Sequence, residues 1–543
     1  MRQRTRQREA VLAIALSGSA LSVAHAGALT EVSNPNPKLT GISAATLLSP
    51  ELRQSAVAEG ALRLENPQNG FEFYGFSSNG PHVPAPGAVP NSSGPIEATK
   101  TEPDKNTYLV LHGLHGADSS YDYGSHFLFQ GHENAADGKG YLTRINLDAD
   151  GEHRVSLLAS ADANGASLPT IDGSTWNPWA RRLLFTAEGN GTTTGGVWQA
   201  TPNVPGVVND LLGVFGRGGF EGIQTDPDGN IWIAEDIGGS TVGGARVANS
   251  FIYRFIPKNR TDLTKGGKLQ ALQVMKLDGS GPIVFDGTNA LTADAKALHT
   301  YGNVFETQWV TVHDTDVDGF SVFNANALAK TKQATPFKRP ENGQFRPGTQ
   351  FRDFFFDETG DTSATTTAGA DFGGFGGVFK LMQSSSSAAS GKLSLFFKGD
   401  LQHTSFDNVA FWDANRVVFV EDRGDMLHAD ANALDSAWML DARKNYASAS
   451  NQPVRILAQG RDALATLDSQ FLGKSGFQND GDNELTGIHI SDGSAGLDGL
   501  LGAKIPRPFE EGWRVFYTQQ HGENVTWEIL PATSRTGRDD EDR

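Results

Sequence analysis

The sequence predicts an all-β chain folded as a β-propeller behind an irregular N-terminal wrapping segment, and three observations carry that reading. Short apolar segments of strand length alternate with Gly, Pro, Asn and Asp turns from Tyr108 almost to Leu530. Long runs of helical period are scarce. A strand–turn–strand unit also recurs loosely, which favours a propeller over a sandwich. In one copy Phe220-Glu221-Gly222-Ile223 leads through the turn Asp226-Pro227-Asp228-Gly229-Asn230 into Ile231-Trp232-Ile233-Ala234-Glu235-Asp236. In another, Phe406-Asp407-Asn408-Val409-Ala410-Phe411-Trp412 leads through Asp413-Ala414-Asn415 into Val417-Val418-Phe419-Val420-Glu421-Asp422. A tight turn between antiparallel strands brings the start of the first and the end of the second to one edge. Each copy therefore delivers two carboxylates to one place, and copies set around an axis would gather their acids at one mouth, as a hard cation held by oxygen ligands requires.

In chain order, Arg2, Arg4, Arg6 and Arg8 precede an apolar run from Ala10 to Val23 that ends in Ala24-His25-Ala26. That pattern reads as a secretory signal over 1–26, too short for a membrane anchor, and its arginines are not adjacent as a twin-arginine signal needs. The mature chain is expected to start near Gly27 and to be exported to a bacterial periplasm or beyond. Residues 27–107, rich in Pro, Gly, Asn and Ser, read as the wrapping segment, with one helix expected from Ser49 to Leu64 because Ser49-Pro50-Glu51 suits a helix start. The propeller is expected over 108–530. Its clearest strands are Tyr108-Leu109-Val110-Leu111, Tyr141-Leu142-Thr143-Arg144-Ile145, Arg182-Leu183-Leu184-Phe185-Thr186, Phe251-Ile252-Tyr253-Arg254-Phe255, Trp309-Val310-Thr311-Val312, Leu393-Ser394-Leu395-Phe396-Phe397 and Arg514-Val515-Phe516-Tyr517-Thr518. Residues 531–543 are polar and charged and read as a disordered tail.

Composition removes several classes of function. The 543 residues include 63 acidic against 45 basic side chains, a net charge of −18, which disfavours nucleic acid and anionic membranes as partners. No cysteine is present, so disulfides, thiolate nucleophiles and Cys-ligated zinc, iron–sulfur or haem sites are excluded. Any metal must be held by oxygen and nitrogen. Gly-x-Ser-x-Gly, the P-loop and His-Glu-x-x-His are also missing, which leaves serine hydrolases, nucleotide triphosphatases and zincins without their working parts.

Candidate metal ligands are the acids at strand ends, Glu188, Glu221, Glu235, Glu341, Glu421 and Glu484, together with Asp407 and Asn408. One such acid could simply be a solvated strand end, but recurrence argues for a shared mouth, where crowded carboxylates raise one another's pKa unless cations neutralise them. His132-Glu133 and His521 come from opposite ends of the repeat region, which become neighbours in a closed ring. Isolated histidines such as His403, His428 and His489 read as structural. Arg339 and Arg423 are the cations nearest these acids in sequence and are candidates for gripping an anionic substrate, with ion pairing as the other reading. Asp314-Thr315-Asp316-Val317-Asp318-Gly319 starts like a calcium loop but has Ala325 where an EF-hand needs Glu, so a plain turn is the better reading.

Seven short motifs resemble, in order, segments of the PhoX-type alkaline phosphatases. They are Gln130-Gly131-His132-Glu133-Asn134, Ser174-Thr175-Trp176-Asn177-Pro178-Trp179, Ala187-Glu188-Gly189-Asn190, Arg339-Pro340-Glu341-Asn342-Gly343, Asp407-Asn408-Val409, Glu484-Leu485-Thr486-Gly487 and Tyr517-Thr518-Gln519-Gln520-His521-Gly522-Glu523. The resemblance implies an exported propeller of about six blades whose funnel holds calcium and iron and hydrolyses phosphate monoesters. One position departs from it. Where the family has a cysteine that ligates iron, this chain has Ala187, and Gly189 replaces a second acid. The expectation is therefore a metal-dependent phosphatase acting on small phosphate esters through a carboxylate-held site for calcium, or for calcium with iron. A calcium-dependent lactonase-like propeller hydrolase and a non-catalytic calcium-binding propeller are the alternatives.

Overall fold

Each strand run closes on the next by a short turn, so neighbouring strands pair antiparallel and pile up as four-stranded meanders. A computed structural model describes residues 28–36, 45–68, 70–76, 101–133, 140–189, 194–423, 427, 430–460, 484–520 and 524–532. Six meanders form the blades of a propeller. Blade 1 comprises Pro103–Val110, His126–His132, Tyr141–Asn146 and Val155–Ala159; blade 2 comprises Ser174–Asn177, Arg182–Ala187, Gly196–Ala200 and Val208–Asp210. Blade 3 is Phe220–Thr225, Ile231–Glu235, Ile252–Pro257 and Gly267–Val274, and blade 4 is Gly343–Phe345, Asp353–Glu358, Gly377–Gln383 and Ser390–Lys398. The long strand Phe305–Asp314 pairs with the outer strands of both and joins them into one sheet. Blade 5 is Phe406–Phe411, Arg416–Glu421, Asp435–Asp441 and Val454–Gly460, with Ala45–Leu48 added at its outer edge.

Blade 6 is closed by the start of the chain. Glu484–Ser491, Arg514–Gln520 and Val525–Pro531 are completed by Leu52–Ala58, which pairs with Val525–Pro531. This corrects the expectation of a helix from Ser49 to Leu64: the segment forms strands Leu52–Ala58 and Arg63–Gln68. A marginal local helix preference yields here to the hydrogen bonds and apolar cover that the edge of blade 6 supplies.

Both faces of every blade are apolar, and each gap between blades holds its own core. Leu109, Phe129, Phe185 and Trp198 fill the gap between blades 1 and 2, and Leu184, Phe220, Ile233 and Tyr253 the gap between 2 and 3. Trp232 packs edge-on against Phe345, and Phe355 against Phe411, in the next two gaps. Trp412 with Leu485, and Tyr108 with Phe516, complete the ring between blades 5 and 6 and between 6 and 1. Removing one of the large fully buried rings, such as Trp232, would cost about 3–5 kcal/mol in lost contacts and cavity. The stretch expected as a plain turn forms a short helix, Thr315–Asp318, capped by Asp314, with Lys258 paired to Asp316 and Lys268 to Asp314. Among the described residues no helix is long and apolar enough to cross a membrane.

Candidate metal centre

The innermost strands start at one end of the axis, and four of them carry a β-bulge at the same level. Between Pro103 and Asn106, Phe220 and Ile223, Phe406 and Val409, and Thr486 and His489, the inner strand holds one residue more than the strand it pairs with. A bulge kinks the strand and re-aims its side chains, which is why bulges gather at functional sites. The residues inside three of these bulges are Asp104-Lys105, Glu221-Gly222 and Asp407-Asn408. Glycine makes the close approach possible: a Cβ on Gly222 would lie 2.6 Å from the Glu341 carbonyl oxygen, and one on Gly173 would lie 2.2 Å from that of Glu221.

The result is a shared acidic mouth. Ligand oxygens lie within 4.8 Å of one another in four overlapping trios: Asp104, Asp172 and Glu221; Asp104, Glu133 and Glu484; Glu133, Asp172 and Glu188; and Glu221, Glu341 and Asp407. All six blades contribute. Burial first, and neighbouring acids second, push Glu133, Asp172, Glu221, Asp407 and Glu484 well above the ordinary carboxylate range. Glu341 moves the same way through burial and Asp236, in spite of Arg339. Glu188 is pushed up to about 8 by burial and Asp236. The Asp407 carboxylate keeps one oxygen without a hydrogen-bond partner, as do those of Asp172 and Asp357. The other Asp407 oxygen accepts from Asn408 Nδ2 at 2.6 Å, and Asn408 in turn accepts from the Gly487 amide. Asn408 thus orients its neighbour.

Several residues singled out in the sequence lie elsewhere. Glu235 is turned away from the trios and accepts from the Phe251 amide, the Tyr253 hydroxyl and Asn326; burial pushes it up to about 8. Glu421 accepts from Arg423, the Thr404 and Ser436 amides and Trp438 Nε1, so its oxygens are fully engaged. The next residues, Asp236 and Asp422, belong to none of the trios but lie near enough for their charge to raise Glu341 and Glu484 respectively. His132 is buried between the Thr101 and Thr143 hydroxyls and stacks on Tyr141, and burial holds it neutral. His521 lies outside the described residues, as do the 1–26 signal and the 533–543 part of the tail.

The two candidate arginines differ. Arg423 has no exposed side-chain surface and is committed to Glu421 and the Gln402 carbonyl. Arg339 is 21% exposed at the mouth, where its Nε and Nη2 donate to Asp236, with Nη2 to Oδ2 at 2.7 Å, and its Nη2 lies 3.5 Å from Glu341. Burial alone would lower its pKa, but these two acids outweigh it and hold the guanidinium charged. Sequence reasoning missed Asp104, Lys105, Asp172, Asp236 and Asp422. Asp104 and Asp172 stand in Pro-containing stretches with little strand pattern, while the recurrence of acids two blade strands apart was the signal available for Asp236 and Asp422. Lys105 is buried beneath the trios, its Nζ donating to Asn342 Oδ1 at 2.5 Å; burial lowers its pKa to about 8 against the pull of Asp407, Asp104, Asp357 and Glu221.

These features define a six-bladed propeller with a carboxylate-lined axial site. Residues 243–494 match the family model described as alkaline phosphatase PhoX, in agreement with the resemblance that the ordered motifs carry. PhoX of Pseudomonas fluorescens in complex with vanadate, a transition state analogue, has a TM-score of 0.51 and 11% identity over 93% of this chain and 98% of that one, which shows a shared fold. A hypothetical selenium-binding protein from Sulfolobus tokodaii has a TM-score of 0.34 and 10% identity over 82% of this chain and 96% of its own, too slight a likeness to argue from. No curated protein matches the chain.

Proposed function

We propose that this chain is an exported, calcium-dependent phosphatase of the PhoX type that hydrolyses small phosphate esters at the axial mouth. The observation that carries the reading is the set of four overlapping carboxylate trios drawn from every blade. So many buried acids in one place are stable only if protonated or paired with cations, and their donors are all oxygen, the chemistry calcium takes with six to eight ligands. Iron held as the family resemblance implies does not fit. Position 187 offers a methyl group, and Ala187 is fully buried within the apolar cluster between blades 1 and 2.

When bound, calcium supplies positive charge that polarises the phosphoryl oxygens and lowers the pKa of an adjacent water. The chain's own residues orient and hold. Asp236 fixes the Arg339 guanidinium through its Nε and Nη2 edge and leaves its other N–H groups for the equatorial oxygens, where negative charge spreads in the transition state. Arg423, locked to Glu421, serves the packing of blade 5 and is not placed to touch substrate. A cation at the rim favours an anionic ester over a neutral lactone.

Turnover of p-nitrophenyl phosphate before and after chelation tests the reading. Activity that chelation abolishes and calcium restores is expected; turnover that survives chelation would contradict it. Bound calcium with no turnover on any ester would instead support the non-catalytic propeller, which the loss of a ligand at Ala187 favours.

A further inference from the structure

Lys105 sits in the bulge of the first inner strand, beside Asp104, one of four acids that two trios share. Its side chain is almost wholly buried. Among the described residues its ammonium donates one hydrogen bond, to Asn342 Oδ1, and the backbone N–H of Asn342 donates to Asp357 Oδ1 at 2.8 Å. The second oxygens of Asp357 and Asp407 are buried without partners, and Lys105 has two N–H groups to spare. Farther along the axis the lining turns neutral: Thr107, Ser174, Gln224 and His489 line a small cavity of about 30 Å³. Positive charge is therefore tethered where the acidic layer ends.

We propose that Lys105 forms the floor of the acidic funnel, its ammonium neutralising the inner carboxylates in place of a further divalent ion and so setting how many metal ions the chain takes up. The inference rests on the metal reading above. A buried charge survives only with partners, so acids left without their cation must be protonated or acquire another one.

The test compares the whole protein with Lys105→Met by elemental analysis after calcium loading and by thermal unfolding with and without calcium. The variant is expected to bind about one more calcium per chain and to show a wider gap between metal-free and loaded midpoints. An unchanged calcium number together with an unchanged gap overturns the proposal. Because Lys105→Met alone could fail to fold, the double variant Lys105→Met/Asp357→Asn removes one charge of each sign. Asp357 belongs to none of the trios, so this variant is expected to regain stability and the wild-type calcium number, whereas a double variant no more stable than the single one overturns the proposal. If the wild-type protein binds no divalent ion, the metal reading fails on its own, and the stability comparison still decides the role of Lys105.

Discussion

Glu421 and Asp422 are neighbours in sequence with opposite surroundings, and the pair Glu235 and Asp236 repeats the contrast. Strand alternation places adjacent side chains on opposite faces. The acid flush with the apolar run turns into the blade, while the next one lies close enough to the trios to raise one of their acids. Glu421→Gln is accordingly expected to leave the calcium number intact but to destabilise the protein by about 3–5 kcal/mol, because Arg423 would be left buried without its counter-charge; denaturant unfolding checks this. Glu221→Gln is expected to do the reverse, lowering calcium affinity and turnover at least about tenfold with a smaller effect on folding, measured by titration calorimetry and steady-state kinetics. Glu188, Glu221, Glu341, Asp407 and Glu484 were legible as strand-end acids. Glu235 and Glu421, which lie outside the trios, were singled out with them because the apolar pattern marks where a strand ends but not which way its last residue points.

Bulges and glycines are the elements that turn six strand starts into one site. The hairpin at Phe220 to Asp236 and its echo at Phe406 to Asp422 were visible as apolar runs with turns between them. The extra residue in each inner strand was not, since a bulge leaves composition and period almost unchanged. The segment after Ser49 misled for a related reason: its strand exists by virtue of its pairing with Val525–Pro531, far away in sequence. Gly222 tests the element directly. A methyl group there would meet the Glu341 carbonyl and the Asn342 Cα, forcing blades 3 and 4 apart. Gly222→Ala is expected to cost about 1–3 kcal/mol in unfolding experiments and to weaken calcium binding by moving Glu341 away from Glu221.

At the scale of the whole molecule, the ring concentrates acids of a chain whose net charge is already −18. Carboxyls with folded pKa values above their unfolded ones bind more protons in the native state, so their stabilisation is complete below the unfolded value and lost as pH rises through the folded one. With unfolded Glu near about 4.3 and folded Glu188 raised to about 8, the metal-free protein is expected to lose thermal stability steadily across that interval. Calcium should flatten the decline by replacing protons as the neutralising charge, which unfolding midpoints measured from about pH 5 to 8 with chelator and with calcium would show.

The most direct measurement is the structure of crystals grown with calcium. Metal ions bridged by Asp104, Asp172, Glu221, Glu341 and Asp407 on the propeller axis are the expected result. Carboxyls hydrogen-bonded to one another, with no ion among them at saturating calcium, would contradict the account.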